Sequence, residues 1–373
     1  MVIQNAKALI GKEFVNVDLT FENTITHIGA AETFDEVLDA AGCYVLPGLV
    51  DIHTHGAVGE DFSDGRAEGL QPMMDYYAAH GVTSVLATTM TLGEEALTRA
   101  MQVLRSFRSN GGAKLAGIHL EGPFLCYEKR GAQAAEHLHK PDMNLFQRLN
   151  TASGDMVKIV TVACEEAGAE DFIREASKMC AVSLGHTCAD YRTSMKAFES
   201  GACHVTHLYN GMPPLHHREP GVIGAALDSG ASVELICDGL HIHPGVVRAT
   251  YKLFGDSVNL VSDSLRCVGM PDGDYELGGQ PIQLRNGKAT LTGTDTLAGS
   301  AISLLDGVRR AVEFGISLAD AAYAASTAPA KAVGLADVGS IEVGKCADLI
   351  ILNNRLELQA VFVDGKRQQA EKI

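Results

Sequence analysis

Short apolar runs rich in β-branched residues alternate along the chain with longer segments of helical periodicity. The runs fall at about Tyr44–Ile52, Thr83–Thr88, Leu115–Leu120, Lys158–Ala163, Ala181–Gly185, His204–His207, Ser232–Cys237 and Asn259–Ser262. Between them, Leu70–His80, Glu94–Ser109, Glu170–Lys178 and Tyr191–Ser200 read as helices. This rhythm is that of repeated βα units around a parallel sheet, and eight strands predict closure into an α/β fold, a (β/α)8 TIM-like barrel.

The two ends follow a different pattern. VIQNAKALI, VNVDLTFEN and TITHIGA near the start, and SIEVGKCADLIILN and LQAVFVDGK near the finish, read as short strands separated by turn residues. Residues 1–45 together with 337–373 are therefore expected to form a small β-sandwich domain, with the barrel, 46–336, inserted between its halves. Residues 275–292 carry hairpin chemistry at Arg285-Asn286-Gly287 and are expected to leave the barrel as a hairpin excursion.

At 373 residues the chain suits a barrel of about 250 residues plus a smaller companion. Its composition, 46% hydrophobic and 20% charged, contains no run of the roughly 18 apolar residues that a membrane span needs, so no membrane partner is expected. The start MVIQNAKALIGKEF lacks the features of a signal peptide, which points to the cytoplasm. Nine scattered cysteines with no CxxC suggest neither a disulfide framework nor a thiolate zinc site. A formal charge of -16 disfavours nucleic acid as a partner. An anionic small substrate would need a local basic pocket.

In VLPGLVDIHTHG, His53 and His55 lie two apart at the end of the first run, so both point to one face of that strand. Taken alone, the pair reads equally as metal ligands or as a polar strand end. The third run ends in GIHLEGPF with Glu121, the fifth in SLGHT with His186, the sixth in HVTHLYN with His207 and the eighth in VSDS with Asp263. All reach the same barrel rim, where strand ends converge on the active site. Burying several ionisable groups together carries a desolvation and repulsion penalty that a divalent cation removes.

Histidine and carboxylate donors suit zinc first, then iron, cobalt, nickel or manganese, and the lack of a thiolate cluster argues for a catalytic rather than a structural site. Such a metal acidifies water and polarises a carbonyl, while a nearby carboxylate takes a proton and returns it to a leaving amine. Asp263 fits that shuttle. The fourth run ends Val162-Ala163-Cys164-Glu165, with no lysine to carry a bridging carbamate and with Lys158 at the opposite end. Glu121 is then the natural substitute as carboxylate ligand or bridge.

The motifs PGLVDIHTHG, HLEGPF, LGHT, THLYNGMPPLHHREPG, DGLHIHP, LVSDS, TLAGSA and VGSIEVGKCADLIIL, in this order, resemble the amidohydrolase superfamily and, within it, the N-acetylglucosamine-6-phosphate deacetylase family. The resemblance implies an enzyme that hydrolyses the acetamide of a 2-acetamido-2-deoxy sugar 6-phosphate. It implies Glu121, His186 and His207 as principal metal ligands, Asp263 as general base and then acid, and His53 and His55 as ligands of an optional second metal. Asn210, Gly211, Arg218 and His241 match substrate positions, Gln133 matches a sugar contact, and Leu297 in TLAGSA matches a loop bordering the sugar. An equivalent arginine reaches a neighbouring subunit's phosphate site, so a homodimer is expected. His243, His119, His216 and His217 read as loop-shaping or packed residues instead. The galacto epimer of the substrate stays open on the sequence alone.

Overall fold

The computed structural model describes residues 1–30 and 36–369. Eight βα units follow one another in chain order. They are β1 (Leu49–Thr54) and α1 (Leu70–Ala79), β2 (Val82–Thr89) and α2 (Glu94–Ser106), β3 (Lys114–Glu121) and α3 (Met143–Ser153), and β4 (Val157–Val162) and α4 (Ala169–Ala176). Then come β5 (Ala181–Leu184) and α5 (Tyr191–Glu199), β6 (His204–Val205) and α6 (Gly221–Ser229), β7 (Ser232–Ile236) and α7 (Pro244–Phe254), and β8 (Val258–Val261) and α8 (Leu304–Glu313). Neighbours pair in parallel from β1 to β8 in sequence order. The seam is closed just beyond the strands: Asp263 N donates to His53 O at 2.9 Å, and His55 N donates to Ser264 O at 2.8 Å. The ring is therefore completed by the backbone of the residues that carry the candidate chemistry.

Local sequence explains the elements. β2 is buried along its whole length, as a strand covered on both faces must be. Asp142 caps α3, which stops at Gly154 in the left-handed region (φ 71°). Ser303 and Asp306 form a capping box at the start of α8, which buries Leu304, Leu305, Val308 and Ala311.

The run at Tyr44–Ile52 differs from its reading as one strand, because it breaks at Gly48. A Cβ there would collide with the Thr83 side chain. Tyr44–Pro47 pairs antiparallel with Leu349–Leu352, whereas β1 begins at Leu49 and pairs with β2.

Both ends of the chain contribute to one mixed sheet, in the order Lys366–Arg367, Leu358–Val363, Leu349–Leu352, Tyr44–Pro47, Val2–Ile10, Glu13–Phe21 and Ile25–Ile28, with Val37–Asp39 also paired to Val2–Ile10. Phe21 and Phe362 sit on strands four places apart in that order. In a flat sheet they would be about 19 Å apart. Their ring centroids are 5.4 Å apart, so the sheet folds over into two layers around Ile3, Leu19, Leu349 and Phe362. Lys114, at the start of β3, ties the barrel to this sandwich through Asp348 at 2.7 Å and Asp364 at 2.8 Å.

Two short helices, Leu318–Ala324 and Thr327–Ala332, follow α8. Ala325 O accepts from Val50 N, and Ala330 and Val333 pack on a cluster that includes Val50, Ile52 and Val261. The strands' N-terminal end near β1 is thus covered by apolar groups. Residues 273–291 form a three-stranded antiparallel meander, Gly273–Leu277, Gln280–Arg285 and Lys288–Leu291, rather than a simple hairpin. Its second turn uses Asn286 and Gly287, both at positive φ (50° and 73°), as a two-residue turn of this hand requires. Leu277 of the meander packs with Met90 and Leu265. Among the described residues no helix is long and apolar enough to cross a membrane.

Candidate active site

Glu121 is the last residue of β3, while His186, His207 and Asp263 each lie two residues beyond their strands. These last three occupy the left-handed region, with φ of 47°, 29° and 49°. Non-glycine residues rarely adopt that conformation, and where they do the strain is commonly tied to function. Here it turns each side chain inward at the strand end.

The three donors of the first cluster meet closely. Glu121 Oε1 lies 3.1 Å from His207 Nε2 and 3.3 Å from His186 Nε2, and the two ring nitrogens are 3.0 Å apart. His186 Nδ1 faces Lys129 O at 2.7 Å, and a carbonyl only accepts, so Nδ1 carries the hydrogen and Nε2 presents a lone pair. The His186 lone pair therefore points at Glu121 Oε1 and His207 Nε2, so the three donor atoms converge on one point. A divalent cation fits that donor set, because it accepts all three lone pairs at once. The buried Nδ1 of His207 has no hydrogen-bond partner.

A second cluster adjoins it. His55 Nε2 is 3.2 Å from Glu121 Oε2 and 3.3 Å from Asp263 Oδ1, and His53 Nε2 is 3.4 Å from His55 Nε2. His53 Nδ1 donates to Glu234 Oε2 at 2.7 Å, so its Nε2 also faces the shared carboxylates with a lone pair when the ring is neutral. Glu121 is thus common to both clusters, while Asp263 belongs to the second. His53, His55 and Glu121 could themselves hold a cation, as could Glu121, His186 and His207.

Protons alone balance this charge only by loading the rings. Burial pushes the His55 imidazolium down, but hydrogen bonds to Asp263 and Glu121 outweigh it and raise the pKa to about 9. Burial opposes ionisation of Glu121 as well, yet the His53 charge and hydrogen bonds from His186 and His207 hold it well below the usual carboxylate range. Asp263 is lowered in the same way, burial being overcome by His53 and His55. A divalent cation supplies the same compensation while leaving imidazole nitrogens free as ligands.

The cavity above the clusters has a volume of about 200 Å³. His55, Glu121, Gln133, His186, His207, Asn210, Gly211, His241, Asp263 and Leu297 all line it. His53 lies beneath, fully buried. Arg218 does not reach it: exposed, with Nη1 2.7 Å from His217 Nε2, it borders a separate surface depression with Tyr191 and Arg192. Gln133 uses both ends of its amide on the protein, donating to Glu121 Oε2 at 2.8 Å and accepting from Thr91 N at 2.7 Å. His241 Nδ1 donates to Asp238 Oδ2 at 2.7 Å. His119 is packed between Ile52 O and Thr161 Oγ1, and His243 caps α7 through Gly245 N. Lys158 stands at the far end of β4.

Glu234 is the residue that sequence reasoning missed. It is fully buried on β7 and holds three partners: His53 Nδ1, His204 Nε2 at 3.1 Å and His207 N at 3.0 Å. Burial should raise its pKa, but the His53 charge and the hydrogen bonds from His204 and His53 keep it well below the ordinary value. An acidic residue inside the apolar run SVELI was the available signal.

The chain matches the Amidohydrolase family over residues 44–367. It is 40% identical over 340 residues to the N-acetylglucosamine-6-phosphate deacetylase of Bacillus subtilis, covering 88% of this chain and 86% of that protein. It is 35% identical over 328 residues to the N-acetylgalactosamine-6-phosphate deacetylase of Escherichia coli O157:H7, covering 86% and 87% respectively. A mutant N-acetyl-D-glucosamine-6-phosphate deacetylase from Mycobacterium smegmatis, solved in complex with N-acetyl-D-glucosamine-6-phosphate, superimposes with a TM-score of 0.93 at 32% identity, covering 98% of both chains. With the barrel, the rim donors and these relatives in agreement along nearly the whole chain, the protein belongs to the amidohydrolase family.

Proposed function

We propose that this chain hydrolyses the acetamide of N-acetylglucosamine 6-phosphate, giving glucosamine 6-phosphate and acetate. Its relatives at up to 40% identity bear that activity in their names. Within the structure, the reading is carried by Nε2 of His186 and of His207 converging on Glu121 Oε1, with Asp263 beside His55. A divalent cation held by Glu121, His186 and His207 would acidify water and polarise the acetamide carbonyl. We assign zinc as that cation, with His53 and His55 available for an optional second one beside Glu121.

The chain's own residues do the rest. Asp263, kept ionised by the flanking histidines, accepts the water proton at Oδ1 and returns it to the leaving nitrogen. Gln133 fixes the rotamer of Glu121, so the ligand carboxylate does not swing when substrate enters. His241, its Nδ1 held by Asp238, turns Nε2 toward the substrate phosphate or sugar. Asn210, Gly211 and Leu297 border the sugar. Arg218, outside this cavity, serves the phosphate site of a second subunit in a homodimer. The same reading divides the chain into a small β domain, 1–45 with 337–373, and a barrel, 46–336. Nine free thiols and a sugar phosphate substrate favour the cytoplasm.

Acetate release from N-acetylglucosamine 6-phosphate, after chelation and add-back of single divalent metals, tests this directly. Activity should vanish with the chelator and return best with zinc; no acetate under any metal sinks the reading. A galacto preference is the second reading, supported by the galactosamine relative. Faster acetate release from the galacto substrate in the same assay would replace the first.

A further inference from the structure

Outside the rim donors, one more group of reactive side chains converges. Cys126, buried in the loop after β3, places its Sγ 3.3 Å from Sγ of Cys188, in the loop after β5. Cys188 is solvent-exposed. Glu128 Oε2 lies 3.4 Å from Cys126 Sγ. Nothing in the proposed hydrolysis uses either sulfur.

We propose that Cys126 and Cys188 form an oxidation site, which hydrogen peroxide closes to a disulfide that clamps the loop after β3 to the loop after β5. The sulfurs need to approach from 3.3 Å to about 2.0 Å. The chemistry balances with peroxide as the oxidant. Cys188 Sγ attacks one peroxide oxygen, the O–O bond breaks, and the first water leaves with the thiol proton. Cys126 Sγ then attacks the Cys188 sulfenic sulfur, the S–O bond breaks, and a second water carries off the Cys126 proton. Two thiols and one peroxide become one disulfide and two waters. A dithiol reductant reverses the change.

The clamp acts on the neighbouring site through two existing contacts. Cys126 N donates to His186 O at 3.0 Å, and Lys129 O, three residues along the same loop, fixes the His186 ring at 2.7 Å. The loop then continues into Gly131, Ala132 and Gln133, which line the cavity. Drawing Cys126 and Cys188 together by about 1.3 Å shifts both supports of His186, and displacements of about 1 Å cost up to about 100-fold in activity.

The test uses the metal-loaded enzyme and hydrogen peroxide, read first by mass spectrometry of a non-reducing digest. That readout is independent of the proposed substrate. A Cys126–Cys188 linked peptide two hydrogens lighter than the reduced pair is expected, removed by dithiothreitol. Cys126→Ser should stop at a sulfenic acid on Cys188 that dimedone captures. In the acetate assay, linkage should lower kcat/KM about tenfold, reversibly, while Cys188→Ser keeps its rate under the same peroxide. No linked peptide, with Cys188 driven to sulfinic acid instead, overturns the oxidation site. A linked enzyme as active as the reduced one, or equal peroxide loss in Cys188→Ser, overturns the clamp.

Discussion

The two donor clusters at the barrel mouth share Glu121 but are supported differently. His186 and His207 stand on loops in a strained left-handed conformation, and the fixed nitrogen of His186 rests on a neutral backbone carbonyl. His53 belongs to a strand and rests on Glu234, a buried carboxylate, while His55 Nδ1 has no partner at all. A carbonyl orients an imidazole without adding charge; a carboxylate also stabilises its protonated form. The pKa of His186 is raised, burial being overcome by Glu121, whereas Glu234, Glu121 and Asp263 raise that of His53 well above its ordinary value, so a proton competes with a cation more strongly in the second cluster. The proposal of one tightly held metal with an optional neighbour rests on that difference.

The sharpest way to break this contrast is Glu121→Gln, because its carboxylate serves both clusters. Acetate release should fall to background and bound metal, measured by elemental analysis, should be lost from both positions. Metal retained at full occupancy would show that the histidines suffice. Asp263→Asn comes next: kcat should drop by about 10²–10⁴-fold with the first metal still present, since a proton shuttle is lost while the principal ligands remain. A variant that loses metal along with activity would move Asp263 into the ligand set.

Glu234→Gln probes the second cluster alone. It should weaken any second cation by about 10–100-fold while the first metal stays at one per chain. Equal loss at both positions would mean that the Glu234 bond to His207 N matters as much as its bond to His53.

The smallest effect is expected at Asp238, an imidazole support of the second kind placed away from the metal donors. Burial raises its pKa, but the His241 side chain and the backbone N–H groups of His241 and Leu240 lower it below the ordinary aspartate value. A group depressed in the folded state contributes stability above its unfolded pKa and loses it as pH falls through the folded value. Asp238→Asn should therefore flatten the acid limb of a stability-versus-pH curve below about pH 4, and raise KM more than it lowers kcat. An unchanged acid limb would remove the Asp238–His241 hydrogen bond from the account.

Much of this was legible in the chain. Buried parallel strands have to be apolar throughout, so the βα rhythm stands out, and an ionisable residue at the end of each such run is conspicuous against it. Glu121, His186, His207 and Asp263 were visible for that reason. Glu234 was not, because its partner His53 lies 181 residues away and a single acid within a strand has an ordinary polar reading. The break at Gly48 was equally hidden, since the Thr83 side chain that occupies its missing Cβ belongs to the next strand. The meander at 273–291 showed its Asn286-Gly287 turn in the sequence, yet its packing over Met90 and Leu265 depends on a loop nearly two hundred residues earlier.

Sequence by itself determined which residue types reach the mouth and the order of the strands that deliver them, because period and turn chemistry are local. Tertiary structure decided which nitrogen faces the site in three of the rings. That choice depends on what holds the opposite nitrogen: Lys129 O for His186, Glu234 for His53 and Asp238 for His241. The first two contacts join residues 57 and 181 positions apart and exist only once the barrel has closed, whereas the third is local to one loop.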